Sequence, residues 1–531
     1  TYTMETSLNL RHQGLRLATI PVESNPDLRP SRLIRSYREY ALQAAKTIVA
    51  HLWDRSLPVR RRFPAEWVLA ALTFTACSLI ATFVFRGIPL AMDEYAFLAQ
   101  AKMFASGKIY EYRPDLPVQL RDMYFQWVDG KYFSKYAPGW PLFLAGGVLA
   151  GVPALVNPLI AAVTIFLIVR LVETFVERKW AIVTGFLVAS NPYFWGYACS
   201  LYSHSLALLC TVTALYLVRS YEAGSSSRNL ILAGLATAFL VVTRPLDGFC
   251  LALLLLPLSV RVARQRQRLA DAVKAIEAGG LILACLLVYN FLLSGKWSIA
   301  AYPAFSGDFV LVPGAPSLGV FATAGRIVQV WFSNLYSRGV NLFTVQYVGF
   351  ACFGLHALAV AGFLGPGKRL WKTLFVEHLF LLVFLYFFHA GPGWPMYGSR
   401  YYYTTIAGLA VLAACGMAWA STARRGGLTS VLFVIFLFQS AFSVDRLFEY
   451  NRRFDKVVAV NSEIERQCPD GSIVIVNTRP QPPNWPDFVY LYDFKRNGLR
   501  TDRRLLIQND RDYEAIKGRY PDRPHCRLSI M

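Results

Sequence analysis

Charge is what this sequence has least of. Of its 531 residues only 16% are Asp, Glu, Lys or Arg, against 55% hydrophobic residues, and mean hydropathy is +0.37. A soluble domain carries about 25% charged residues, so an ordinary water-soluble globule is excluded. Acidic residues are scarcer still, 33 against 54 Lys and Arg, for a net charge of +21. In a soluble protein that surplus would point to nucleic acid. Here the basic residues sit at the ends of apolar runs, where cytoplasmic helix ends and anionic lipid account for them, and no nucleic-acid partner is expected. There is no GxxxxGK[ST] phosphate loop, and no GxGxxG between a strand and a helix, which removes the common routes to a soluble nucleotide. The nine cysteines include no CxxC pair and no Cys/His metal spacing. Cys77, Cys210, Cys285, Cys352 and Cys415 lie inside apolar runs, as packing residues do. Cys468 and Cys526 lie in polar sequence and can pair only if that region faces an oxidising compartment. No internal repeat or low-complexity segment stands out.

What is present is a series of apolar runs of membrane-spanning length, bounded by charges or Pro/Gly clusters. The pattern predicts a polytopic α-helical membrane protein of about eleven crossings. They fall at about 67–85, 154–172, 180–198, 204–219, 229–245, 248–260, 275–293, 346–364, 373–390, 402–420 and 428–444. Charge gives an independent check. Arg60, Arg61 and Arg62 precede the first run and place the N-terminus in the cytoplasm; Arg178 with Lys179, Arg219 with Arg228, Arg261 to Arg268, Lys368 with Arg369 and Lys372, and Arg424 with Arg425 then all fall on that side. An odd number of crossings puts the C-terminal tail outside. No signal peptide is expected ahead of the first run.

Three regions follow. Residues 1–64 are a polar, basic arm with an amphipathic candidate at Leu33–Ala50. Residues 65–445 are the membrane domain, with outer loops 86–152 and 294–345. In the first loop, Pro141–Val152 is apolar but too short to cross, and reads as a re-entrant or interfacial helix. In the second, an interfacial helix is expected near Val320–Leu335. Residues 446–531 read as a small mixed α/β domain, with strands at Ser472–Asn477, Phe488–Leu491 and Leu505–Ile507.

The chemistry gathers on the outer side. Just after the first crossing, Pro89 to Gly107 reads as a short amphipathic helix that opens with two adjacent carboxylates, Asp93 and Glu94. Either is placed to act as a general base, or Asp93 simply caps the helix. Lys135 follows among the aromatics Tyr132, Tyr136 and Trp140, which can stack on a sugar or a prenyl chain. His204, Arg244 with Asp247, and Arg400 beside Tyr401 stand at other outer ends. Charges at membrane depth need partners or tasks. Lys135 and Arg400 can snorkel to headgroups, Arg244 and Asp247 can pair with each other, and His204 alone can be a structural histidine. Together they supply a base and cations at one membrane face, which is what transfer from an anionic lipid headgroup requires.

Four segments carry a resemblance: Met92-Asp-Glu-Tyr95, Lys135-Tyr-Ala-Pro-Gly-Trp-Pro141, Arg244-Pro-Leu-Asp247 and Tyr397-Gly-Ser-Arg-Tyr401. In that order and topology the chain resembles the GT-C class of integral-membrane, polyprenyl-phosphate-dependent glycosyltransferases, over residues 66–445. It is similar to the bacterial relatives of protein O-mannosyltransferases and lipid A aminoarabinose transferases. The resemblance implies Asp93 as catalytic base with Glu94 beside it, and Lys135 and Arg400 on the lipid-linked phosphate. Arg244, His204, Tyr136, Trp140 and Tyr401 would complete the substrate site. Aminoarabinose transferases tend to show Lys-Pro-Pro where this chain has Lys135-Tyr-Ala-Pro138, and the first loop has no Asp-x-Asp, which leaves a divalent metal open.

The implied activity is transfer of a sugar from a polyprenyl-phosphate donor to a glycan, lipid or protein acceptor. The implied setting is a bacterial inner membrane, with the N-terminus cytoplasmic and the tail periplasmic. Two other readings stay open. One is a non-catalytic GT-C subunit docked to a membrane complex through its arm or tail. The other is a lipid or sugar transporter.

Overall fold

The computed structural model describes residues 65–114, 124–297, 353–386, 397, 400–422, 427–469, 472–478, 505–507, 514, 517–518 and 521–530. The chain divides into two units, Thr1–Val68 and Leu69–Met531. Expectations for Leu33–Ala50, Val320–Leu335 and Phe488–Leu491 lie outside the described residues.

The helices follow the apolar runs. α1 (Ala65–Leu79) continues as a π-helical turn over Ile80–Val84. It stops where Arg86 and Gly87 take left-handed angles, φ +55° and +62°. α2 (Met92–Ala105) carries the acidic pair, and α3 (Gly139–Leu149) lies where a short apolar helix was expected. Then come α4 (Val156–Glu173), α5 (Arg178–Ala189), α6 (Pro192–Ala198), α7 (His204–Glu222), α8 (Ser227–Thr243), α9 (Pro245–Gln265) and α10 (Leu269–Ser294). After 298–352 follow α11 (Phe353–Leu364), α12 (Arg369–Tyr386), α13 (Ile406–Thr422) and α14 (Leu428–Gln467). A 3₁₀ turn, Arg400–Thr405, leads into α13.

Among the described residues six helical stretches are long and apolar enough to cross a membrane: Ala65–Val84, Pro153–Glu173, Pro245–Gln265, Leu269–Ser294, Arg400–Thr422 and Val431–Gln467. The other expected crossings are helical where described but shorter or less apolar. Two differ from expectation. The run 180–198 is two helices, because Pro192 has no N–H to continue α5 and Asn191 caps the new start, its side chain accepting from Tyr193 N at 2.9 Å. The last crossing does not stop near 444. α14 runs unbroken for 40 residues, so the charged sequence after 446 begins as helix.

The α2 helix is more deeply set than an amphipathic surface helix. Glu94 and Gln100 are buried along with Ala96, Phe97, Leu98, Ala99, Ala101 and Met103. A three-stranded antiparallel sheet covers one flank: β1 (Glu111–Tyr112), β2 (Phe125–Val128) and β3 (Lys131–Ser134), in the order β1-β3-β2. Asp129 and Gly130 both take positive φ, +49° and +78°, as a two-residue type I′ hairpin requires. Gln100 ties helix to sheet, accepting from Ser134 N at 2.9 Å and donating to Ile109 O at 3.0 Å. This hairpin delivers Lys135 and Tyr136 beside Asp93.

Past α14 the strands are β4 (Ile473–Thr478), β5 (Leu505–Ile507) and β6 (His525–Ile530), a parallel sheet in the order β5-β4-β6. A Cys468–Cys526 disulfide joins the end of α14 to β6.

Helix packing rests on small residues, as lipid offers no hydrophobic gain for burying larger ones. α11 and α13 cross so closely that a Cβ on Gly362 would stand 1.7 Å from Leu412 O, and one on Gly416 2.1 Å from Leu358 O. Neither backbone can yield without separating the helices. Gly416→Val should cost about 3 kcal/mol or more by overpacking, read as a lowered unfolding midpoint in lipid nanodiscs; an unchanged midpoint would refute the close crossing.

Candidate functional site

The site is built from the start of α2. Ala91 is extended, φ −127° and ψ 156°, and the helix begins at Met92. The two acids then part. Glu94, 1% exposed, turns back: its Oε2 accepts from Leu90 N at 2.8 Å and Ala91 N at 3.1 Å, and its Oε1 from Leu201 N at 2.8 Å. The capping considered for Asp93 is therefore done by Glu94. Burial pushes the Glu94 carboxyl up to about 7 even though those three amide bonds favour its charged form.

Asp93 turns to side chains instead. Its Oδ1 accepts from the Tyr136 hydroxyl at 2.5 Å. Its Oδ2 lies 3.3 Å from the Arg400 guanidinium and at a long 3.5 Å from the Tyr202 hydroxyl. The side chains of Asp93 and Arg400 keep 14% and 17% of their surface exposed. Burial pushes the Asp93 carboxyl up, but the Arg400 charge, the Tyr136 bond and the Lys135 charge together hold it below the usual carboxylate range. Asp93 is ionised at neutral pH.

Lys135 holds its ammonium 4.6 Å from the Tyr124 ring centroid and 5.6 Å from that of Tyr136. Arg400 lies over Tyr401, 5.2 Å from its centroid, and donates to its hydroxyl at 3.3 Å. Cations resting on aromatic faces are less hydrated than free ones and lose less on meeting an anion.

A second cluster adjoins the first. Arg244 donates through Nε to Asp247 Oδ2 at 3.0 Å, through Nη2 to the Tyr386 hydroxyl at 2.9 Å, and through Nη1 to His204 Nε2 at 3.0 Å. A guanidinium only donates, so His204 Nε2 is the unprotonated nitrogen. Asp247 also accepts from Tyr386 at 2.6 Å and Thr404 at 3.0 Å. The 3₁₀ turn Arg400–Thr405 thus sends Arg400 to Asp93 and Thr404 to Asp247, and Tyr401 stacks on Tyr386 at 4.2 Å between them. Arg244 and Asp247 pair with each other, the alternative weighed from sequence.

The aromatics divide. Tyr136 touches Asp93, but Trp140 is fully buried and donates to Leu201 O at 2.8 Å, so it has no face for a sugar. Tyr132, also buried, stacks on Phe125 at 4.9 Å inside the hairpin. Sequence reasoning passed over Tyr202, Tyr386 and Thr404. Tyr202 lay in a segment noted only for its histidine, and the other two are single hydroxyls at the ends of apolar runs. Among the described residues no group of three or more His, Cys, Asp or Glu side chains gathers to hold a metal.

No family model matches the sequence, and no curated protein matches it. Solved structures do match in shape. ArnT from Cupriavidus metallidurans bound to undecaprenyl phosphate aligns over 87% of this chain and 89% of its own, at 13% identity and TM-score 0.51. The chain has the GT-C fold. Other GT-C structures align less closely. The Archaeoglobus fulgidus oligosaccharyltransferase in complex with zinc and sulfate covers 82% of this chain and 62% of its own at 13% identity, TM-score 0.48. The arabinosyltransferase EmbB from Mycobacterium smegmatis covers 83% and 46% at 13% identity, TM-score 0.40.

Within this GT-C bundle Asp247 is the only acid bonded to Arg244 among the described contacts. Asp247→Ala leaves a buried cation without its counter-charge and should cost about 3–5 kcal/mol. Replacing Arg244 by Met and Asp247 by Leu together should recover, in the same unfolding measurement, the part of that loss due to the unpaired charge. It should not recover the part due to His204, Tyr386 and Thr404, which lose their partners as well. An Asp247→Ala midpoint equal to wild type would show that the pair is not buried.

Proposed function

We propose that this protein is a membrane glycosyltransferase that moves a sugar from a polyprenyl-phosphate carrier to an acceptor at the membrane face bearing Asp93. The observation that carries the reading is an ionised, partly accessible Asp93 carboxylate paired with Arg400, with Lys135 close enough to act on it. The undecaprenyl phosphate named in the ArnT structure lends support, since the two chains share a fold over most of their lengths.

In this reading Lys135 and Arg400 receive the carrier phosphate. Asp93 takes the proton from the acceptor hydroxyl or amine as its atom attacks the anomeric carbon. The sugar–phosphate bond breaks with inversion, and the phosphate leaves stabilised by the two cations. A carboxylate held below its usual range is a weak base, and the donor itself corrects this. When the phosphate takes up Arg400, Asp93 loses its strongest partner and its basicity rises. The base is quiet until a donor is bound. Tyr136 and Tyr202 keep the carboxylate aimed during that exchange, and the Arg244–His204–Asp247 cluster fixes the turn that carries Arg400.

The remaining parts of the reading are a bacterial inner membrane, eleven crossings, a cytoplasmic arm and a periplasmic α/β tail. The Cys468–Cys526 disulfide supports that side for the tail, since such bonds persist in oxidising compartments. A transporter would carry charged residues deep within its spans and broken helices in corresponding halves, whereas the Asp93–Arg400 and Arg244–Asp247 pairs adjoin one another at helix ends, which favours a transferase.

The test is purification of the wild type and Asp93→Asn, followed by lipid extraction and mass spectrometry. Both should carry polyprenyl lipid, the wild type mainly as free phosphate and the variant mainly as the sugar ester, with turnover reduced about 10²–10⁴-fold. Turnover by Asp93→Asn near that of wild type would remove the mechanism. A lipid profile matching bulk membrane in both would remove the donor assignment.

A further inference from the structure

The mechanism leaves Glu94 without a chemical task, yet its surroundings are specific. All three hydrogen bonds to its carboxylate come from backbone N–H groups. Leu90 and Ala91 belong to the extended entry of α2. Leu201 belongs to the turn between α6 and α7. That turn is gripped from its other side as well: Trp140 Nε1 donates to Leu201 O at 2.8 Å, and Asn157 Nδ2 donates to Ser200 O at 2.7 Å and Tyr202 O at 2.8 Å. One residue further, the turn presents the Tyr202 hydroxyl to Asp93; three residues further, it presents His204 to Arg244. Glu94 is thus the side chain that joins the segment bearing the base to the segment that contacts it.

Resting on the assignment of Asp93 as base, we propose that Glu94 is a positioning residue whose ionised carboxylate ties the entry of α2 to the 199–203 turn, setting Asp93 against Tyr202 and Arg400, and that its protonation releases the tie.

The release follows from donor and acceptor counting. A carboxylate accepts on both oxygens, but a carboxylic acid has one oxygen that must donate. The three groups bonded to Glu94 are themselves donors, so protonation removes the charge assistance from all three bonds. It also turns one accepting oxygen into a hydroxyl, a weaker acceptor whose own proton finds no acceptor among them, and the tie loosens at that oxygen. Asp93 on the same helix, Tyr202 on the turn and Tyr397 ahead of α13 are the titratable groups that face it. Burial dominates its titration and brings it near neutrality, whereas Asp93 is held low by Arg400. A pH transition of the site near 7 therefore belongs to Glu94 and not to the base. The sign for stability is opposite to that for order at the site. A carboxyl raised in the folded state adds stability that is full below its unfolded value of about 4.5 and is lost as pH rises through about 7. The ionised tie holds local geometry while lowering global stability.

The test uses the full chain in nanodiscs, as wild type and Glu94→Gln, with undecaprenyl phosphate as the probe ligand. In wild type, amide exchange of the 199–203 segment, corrected for intrinsic rates, should be slow at about pH 8 and about tenfold faster at about pH 6. In Glu94→Gln, whose amide mimics the protonated acid, it should be fast at both. Undecaprenyl phosphate should bind Glu94→Gln about tenfold more weakly than wild type at about pH 8 and equally at about pH 6. The lipid's own ionisation cancels in that ratio. Wild-type exchange that does not change with pH, or an affinity ratio the same at both, overturns the proposal. Should Glu94→Gln not fold, the wild-type exchange transition still decides. Failure of wild type to bind the probe at either pH refutes the transferase reading instead, while the exchange measurement judges the tie separately.

Discussion

Asp93 and Arg400 come from helices some three hundred positions apart in the chain and meet at 3.3 Å, each mostly withdrawn from water. Neither charge is tolerable there alone. Removing an ion from water costs several kcal/mol, repaid only by a close partner and further hydrogen bonds. That constraint explains the rest of this end of the bundle. Tyr136 and Tyr202 occupy carboxylate positions that Arg400 leaves open. Arg244 and Asp247 solve the same problem one step away with Tyr386, Thr404 and His204. The two pairs differ in their acids: the Asp93 side chain keeps 14% of its surface exposed and that of Asp247 1%, while Arg400 and Arg244 are similar at 17% and 13%.

Much of this was legible in the residues. Apolar length located the helices, because a crossing must satisfy its backbone internally and needs about 20 residues to do so. Leu505–Ile507 and the strand beginning near Ser472 were read from β-branched and apolar runs, while the pairing of Cys468 with Cys526 stayed open because it depends on the compartment. The convergence of Asp93, Lys135 and Arg400 followed from placing charge at one face. What sequence could not show was direction. Asp93 and Glu94 are neighbours of the same type, and only the path of the 199–203 turn decides that one meets side chains and the other backbone. Trp140 looks like a stacking platform until its indole N–H is seen on Leu201 O. The Asp129-Gly130 hairpin left a local signal that was not taken up.

The opposite end shows why counting charges by position is coarser than it looks. Lys372 is buried, and its ammonium donates to the carbonyls of Gly362, Gly365 and Pro366, closing the end of α11. Arg266 likewise serves the carbonyls of Tyr221, Gly224 and Ser225, and Arg219 donates to the Thr174 carbonyl and to the Glu222 carboxylate. From sequence these cations were expected at cytoplasmic helix ends, drawn to anionic lipid. In the fold they are helix-end caps, so part of the net charge is spent inside the protein.

α14 carries one last consequence. Forty residues of continuous helix measure about 60 Å, twice the hydrocarbon thickness of a bilayer. Midway along it Tyr450 and Phe454 pack around Phe85, which stacks in turn on Tyr397, and Asp455 holds Arg86. Beyond that point about 20 Å of rod leads to the disulfide and the parallel sheet. The arrangement is a lever with an aromatic fulcrum. A tilt of about 10° moves the far end by about 3 Å over that length, and the fulcrum bears on the ring that neighbours Glu94 and Tyr202. These ring contacts join α14 to the residues around Glu94 and Tyr202 through Tyr397.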